Sequence, residues 1–281
     1  MQQIDFDTYQ NNLAALRSPR GTPIIYTKGT IEKLWTLGAD LEELVRLFGY
    51  EDSQGNEKFF ADSVVLFMER GGYTISDLLR VAELRDHRGA PILDSSNNFF
   101  NFLRIKGNID DAMAVADVKD SEGQTIFRRE DYAGYNGGFE GIVDLLKGGG
   151  NAQIVQELTD ILNDDGQSIF KTPRDIIRLV ESGGTVDYAQ SLVMLRGHEG
   201  KQIFNEFDIG LFRQYGGTVS YALELTSIRN SKGQIVFSRG EDVFEFQGEK
   251  YDVGLAKSYV DLKDSEGHTV FRDGSDIVLF L

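Results

Sequence analysis

The chain has 281 residues and a formal net charge of −16, from 45 acidic against 29 basic side chains. It contains no cysteine, which excludes disulfides and thiolate metal ligands. No apolar run approaches the roughly 18 residues of a membrane-spanning helix, and a field of this sign repels phosphate backbones and anionic lipid. The first residues, Met1-Gln2-Gln3-Ile4-Asp5, carry no basic region followed by an apolar run. No signal peptide is therefore expected, and the expected location is cytoplasmic.

A sequence frame recurs along the chain. Its anchor is a glycine: Gly21, Gly55, Gly89, Gly123, Gly166, Gly200, Gly233 and Gly267, at gaps of 34, 34, 34, 43, 34, 33 and 34 residues. Such a period is the signature of tandem repeats. Five residues before each anchor stands an apolar residue, from Leu16 and Tyr50 through to Leu262. Three residues before it stand Ser18, Asp52, Asp86, Asp120, Asn163, Gly197, Asn230 and Asp264. All but Gly197 are side chains that hydrogen-bond nearby backbone in turns. Four residues after it stand Ile25, Phe59, Leu93, Phe127, Phe170, Phe204, Phe237 and Phe271, mostly preceded by Ile or Val.

Tyr9 already lies inside the frame, seven residues before Leu16, as Tyr188 and Tyr221 lie before Leu195 and Ile228. Gly-Gly pairs at 71–72, 137–138, 183–184 and 216–217 suit helix C-termini, where a residue with positive φ ends the turn. Phe99, Phe100 and Phe102 fill a helix with no clear polar face. The long gap places an insertion of about nine residues between 128 and 160, with the run Gly148-Gly149-Gly150; in a repeat array it lengthens a loop or helix. Ile176, Ile177, Leu179 and Val180 read as a short buried helix, and Tyr188, Ala189, Leu192 and Leu195 as a helical stripe. Asp175 and Asp208 are expected near helix N-termini, where a carboxylate accepts free N–H groups. The segments 222–237 and 259–271 alternate as a β-hairpin would. The last unit ends on Val278-Leu279-Phe280-Leu281, apolar residues that offer a route to self-association.

The fold expected is thus all-α: a solenoid of about eight ~34-residue two-helix repeats over one continuous array, residues 1–281. The alternative is repeats that mix a short β-hairpin with a helix. Residues 120–150 (DSEGQTIF, then NGGFEGIVDLLKGGG) resemble one ankyrin repeat, although Thr-Pro-Leu-His is absent. Residues 172–184 (TPRDIIRLVESGG) resemble the first helix and loop of a TAL-effector DNA-binding repeat, although Thr185-Val186 stands where that family has Lys-Gln. Each resemblance covers about one unit, and the chain is assigned to neither family.

No nucleophile elbow, phosphate loop or Rossmann glycine pattern is present. His87, His198 and His268 fall in separate turns without metal-ligand spacing. The acidic turns at Gly123, Gly166 and Gly267 lack the first-position Asp and the twelfth-position Glu of a calcium loop. The expectation is a non-catalytic scaffold for protein–protein interaction, without cofactor or metal, its charge favouring a basic protein partner. The alternatives are a nucleic-acid-related protein, as TAL-effector-like reader or acidic DNA mimic, and a self-assembling structural component. Tyr132, Tyr135 and Phe139, beside the Gly137-Gly138 turn and the insertion, are the aromatics selected as partner anchors.

Overall fold

The computed structural model describes residues 4–17, 21–25, 27–51, 58–93, 96–128, 138–197 and 200–281. Within them the recurring turn folds in one way. The Oδ1 of Asp120 accepts from the N–H groups of Glu122 (2.9 Å) and Gln124 (2.8 Å). Asn163, Asn230 and Asp264 repeat this on Asp165 and Gln167, Lys232 and Gln234, and Glu266 and His268. The anchor glycine then takes a left-handed φ, from 75° at Gly166-equivalent Gly200 to 84° at Gly267, a region that a Cβ disfavours. One antiparallel bridge closes each turn, as in Arg85 with Pro91 or Lys263 with Thr269. Gly197, the exception to the Asp/Asn column, lies where a Cβ would come 3.0 Å from the Ser238 carbonyl oxygen.

The turns join pairs of short helices, sixteen among the described residues. They are α1 (Phe6–Ala15), α2 (Lys28–Thr36), α3 (Leu41–Phe48), α4 (Ala61–Gly71), α5 (Ile75–Ala82), α6 (Ser96–Arg104), α7 (Ile109–Ala116) and α8 (Gly138–Lys147). There follow α9 (Ala152–Thr159), α10 (Pro173–Glu181), α11 (Val186–Val193), α12 (Glu206–Gln214), α13 (Val219–Ser227), α14 (Gly240–Gly248), α15 (Val253–Val260) and α16 (Gly274–Phe280). The fold is all-helical, as the sequence predicts, and no strand forms among the described residues. The hairpin expected in 222–237 and 259–271 reduces to a single bridge in each. The reason is local: the turn side chain consumes the N–H groups a longer ladder would use, and residues 219–227 and 253–260 are already helical.

The chain divides into two compact units, Met1–Val118 with Phe127–Lys147, and Lys119–Ile126 with Gly148–Leu281. In each unit odd-numbered helices pack on the next odd helix and even-numbered helices on the next even one: α3 on α5 and α4 on α6, then α11 on α13 and α12 on α14. The column four residues past the anchor supplies the core between them. Phe59, Phe127, Phe170, Phe204 and Phe237 are fully buried, and Ile25 and Phe271 nearly so. At roughly 2 kcal/mol or more for each large apolar side chain, this column is a substantial source of cohesion within each unit.

Polar links recur with the same period. The N–H of Gly240 donates to Ile203 O (2.8 Å), and that of Gly274 to Val236 O (2.8 Å). Tyr9, Tyr73, Tyr188 and Tyr221 donate their hydroxyls to backbone oxygens of Ala39, Gly107, Gly217 and Tyr251, near one unit ahead. An arginine just after each of several odd helices, Arg17, Arg85, Arg196 and Arg229, donates to that helix's last carbonyls, where both hydrogen bonding and the helix dipole favour a cation. The Gly-Gly pair divides two tasks. Gly183 adopts φ 75°, and a Cβ on Gly184 would come within 2.2 Å of the Leu179 side chain.

Candidate interaction surface

The even helices of the second unit carry a surface that differs from one helix to the next. Their caps set a common register: Thr172, Asn205, Arg239 and Asp273 are the N-cap residues of α10, α12, α14 and α16. Counting two, six and ten residues on from the cap gives the positions four apart that share one helix face. On α10 they are Arg174, Arg178 and Ser182; on α12, Phe207, Leu211 and Tyr215; on α14, Glu241, Glu245 and Glu249. The last of each three is also the C-cap residue. An apolar row therefore lies between a basic row and an acidic row on helices that pack in sequence, α10 on α12 and α12 on α14.

The apolar row is open to solvent: Phe207 is 43% exposed and Tyr215 49%. Each ring is held from one side. The Arg178 guanidinium lies over Phe207, 4.9 Å from its centroid. Arg178 also pairs with Asp175 (3.5 Å), and its stem fills the room beside Gly210, where a Cβ would come within 2.9 Å. Tyr215 stacks on Phe244 at 6.4 Å. Glu241, Glu245 and Glu249 are exposed, and no ion pair involves them among the described residues. Burial, then repulsion from Glu241 and Asp242, raises the Glu245 carboxyl above the usual range.

Beneath the row lie the expected N-terminal carboxylates. Asp175, Asp208 and Asp242 are buried, three residues past their N-caps. Asp208 forms a capping box with Asn205, accepting that residue's N–H at 3.2 Å. Its carboxylate occupies the space left by Gly240, where a Cβ would come 2.4 Å from Asp208 Oδ2. Burial pushes the Asp208 carboxyl up to about 6; the Asn205 N–H opposes the shift, and Glu241, Glu206 and Asp242 add to it. Asp242 is likewise raised by burial, against the Ser275 hydroxyl (2.8 Å) and the Arg239 guanidinium (2.8 Å).

Of the aromatics selected from the sequence, Tyr132 and Tyr135 lie outside the described residues. Phe139 is fully buried, with ring centroids of Phe99 and Phe102 at 5.9 and 5.4 Å. It fills the core of the first unit, so its assignment as a partner anchor is corrected: its position on α8 faces inward. The α12 row escaped the sequence reading because it does not recur. Aligning the helix N-caps rather than the anchor glycines would have found it, since α14 begins one residue later in the frame than α12.

In the first unit a cleft of about 510 Å³ is lined by Thr27, Gly29, Thr30, Lys33, Asp62 and Glu69, among others. Its charges are largely matched within it: Thr30 donates to Asp62 (2.7 Å) and Lys33 pairs with Glu69 (3.1 Å). Among the described residues no group of histidines and carboxylates could hold a metal ion, and no helix is long and apolar enough to cross a membrane. The turn carboxylates Asp120 and Asp264 are spent on their own backbone. Leu279 and Phe280 are 86% and 64% exposed. No protein-family model matches the chain, and no curated protein or solved structure shows significant similarity to it.

Proposed function

We propose that the chain is a non-catalytic repeat scaffold for protein–protein interaction, its helix pairs stacking as in an α-solenoid within each compact unit. The observation that supports this reading is the division of labour among its side chains. The recurring polar groups are consumed by the fold, as turn acceptors, capping residues and tyrosine or arginine links, while the outward helix positions of the second unit vary freely and leave aromatic and acidic side chains open. A surface of that kind binds by contact and shape.

The test is affinity capture from a native lysate with chemical cross-linking and mapping of the cross-linked lysines. The expected result is a protein partner whose cross-links cluster on one face of the helices. Retardation of DNA at low salt without any protein partner would overturn the reading in favour of a nucleic-acid reader; turnover of a small molecule without a partner would overturn it in favour of an enzyme.

Self-association is a second reading, favoured by the exposure of Leu279 and Phe280. Light scattering decides it: a mass of 31.5 kDa at all concentrations, that of a single chain, removes it.

A further inference from the structure

We propose that α12 and α14 form a docking surface for a basic amphipathic helix of a partner protein, its apolar side chains on Phe207, Leu211 and Tyr215 and its lysines or arginines on Glu241, Glu245 and Glu249. The inference rests on the scaffold reading and deepens it by naming the site and the chemistry of the occupant.

Three observations carry it. First, the two rows lie on helices that pack directly on each other. Positions four apart on one helix are about 6 Å apart along its axis, the pitch at which a second helix presents its own i and i+4 side chains. Packed helices lie about 8–10 Å apart, close to the width of one helix with its side chains, so a single helix spans both rows.

Second, the charge is complementary to one class of partner. Three exposed carboxylates stand in line beside the apolar row without an ion pair among the described residues, and a neighbour at each of these positions that carried a carboxylate would be repelled. Apolar anchors with a flanking row of cations satisfy both rows at once.

Third, the opposite flank sets the orientation. Arg178 covers the α10 side of Phe207 and is anchored there by Asp175, so cations on that flank would meet like charge. The surface therefore selects a helix whose basic side faces α14, an unfavourable contact serving as the discriminating element. The rings are also pre-set: Phe207 beneath a guanidinium and Tyr215 stacked on Phe244 lose little rotamer freedom on binding.

The test is fluorescence anisotropy on the intact chain with a dye-labelled amphipathic helix of leucine and lysine. The comparison probes are the same residues scrambled to destroy the amphipathic face, and a leucine–glutamate helix. Two variants address the rows: the charge reversal E241K/E245K/E249K and the truncation F207A/Y215A. A matched reversal at exposed carboxylates on odd helices of the same unit or at their C-cap, E157K/E224K/D261K, controls for the overall acidity of the chain. Far-UV circular dichroism verifies that each variant is folded; all six row residues except Leu211 are exposed, and the reversal alone suffices to decide if the truncation unfolds.

The expected result is that wild type prefers the leucine–lysine helix over its scrambled form. The row reversal should weaken that binding by about tenfold or more and confer affinity for the leucine–glutamate helix. The truncation should weaken it by a similar factor while leaving its salt dependence unchanged. The matched control should change it by no more than about threefold. Equal weakening by the control and the row reversal, equal binding of the scrambled probe, or no binding of the leucine–lysine helix by wild type would each overturn the docking site. A protein partner cross-linked elsewhere would at the same time leave the scaffold reading standing.

Discussion

Replacing Asp208 with asparagine isolates the energetic cost of a buried charge in the α12–α14 layer. The carboxyl is raised from 3.8 to about 6, first by burial and then by Glu241, Glu206 and Asp242. Its folded pKa lies above its unfolded one, so the native state takes up a proton where the unfolded chain has not. The site's contribution to stability is therefore fully present below about pH 4 and is lost as pH rises through about 6. That rise sets a ceiling of about 3 kcal/mol. Asparagine cannot ionise, keeps an oxygen for the Asn205 N–H, and matches the shape that fits against Gly240. Urea unfolding of wild type and D208N, followed by circular dichroism across about pH 4.5 to 8, gives the difference curve in which the titrating groups not coupled to Asp208 cancel. D208N should be more stable by about 1–3 kcal/mol near pH 7.5, with the advantage falling to about a third of that near pH 4.5. A difference that does not vary with pH, or a variant less stable than wild type near pH 7.5, would refute a carboxyl raised in the folded state.

Other substitutions probe the recurring contacts. Phe204→Ala empties a fully buried position against Phe212, 5.5 Å away, and should cost about 3–5 kcal/mol in urea unfolding; a loss below about 1 kcal/mol would show that the column does not hold the units together. Tyr221→Phe removes the hydroxyl donated to Tyr251 O while keeping the ring beside Phe212; the expected loss is about 1 kcal/mol, with faster hydrogen exchange at the start of α15. Lys250 holds a φ of 59° at the end of α14, where glycine meets no Cβ penalty, so K250G should raise the unfolding midpoint by an amount worth about 1 kcal/mol; a lowered midpoint would contradict the strain.

The periodic part of the molecule was legible in the sequence because its physics is local and obligatory. The left-handed φ of the anchor glycine, the turn acceptor three residues earlier and the buried aromatic four residues later each admit few residue types, and each recurs. The all-helical class followed from the same columns. The alternation in 259–271 was misleading because one bridge and a hydrogen-bonded turn impose period two over only a few residues. The division into two compact units falls near the long gap and leaves no mark in the anchor spacing on either side. Arg17, Arg85, Arg196 and Arg229 also form a column, four residues before the anchor, but basic residues read as solvated surface until the helix end beside them is placed.

The candidate site was hidden for the opposite reason. Positions that recur are those the fold constrains, so the columns are structural residues; Phe139, which lies outside them, is core as well because its helix turns it inward. The outward positions carry no such constraint. Counted from their caps, the same site reads Arg174, Phe207, Glu241 and Ser275 on four consecutive even helices. Nothing in packing requires a phenylalanine 43% open to water at one of them, and an exposed aromatic between two oppositely charged rows forfeits burial that the fold makes available elsewhere. Specificity in an array of similar helix pairs must lie in what remains after the common frame is subtracted. Along α12 and α14 that remainder is an exposed aromatic row beside an exposed acidic one.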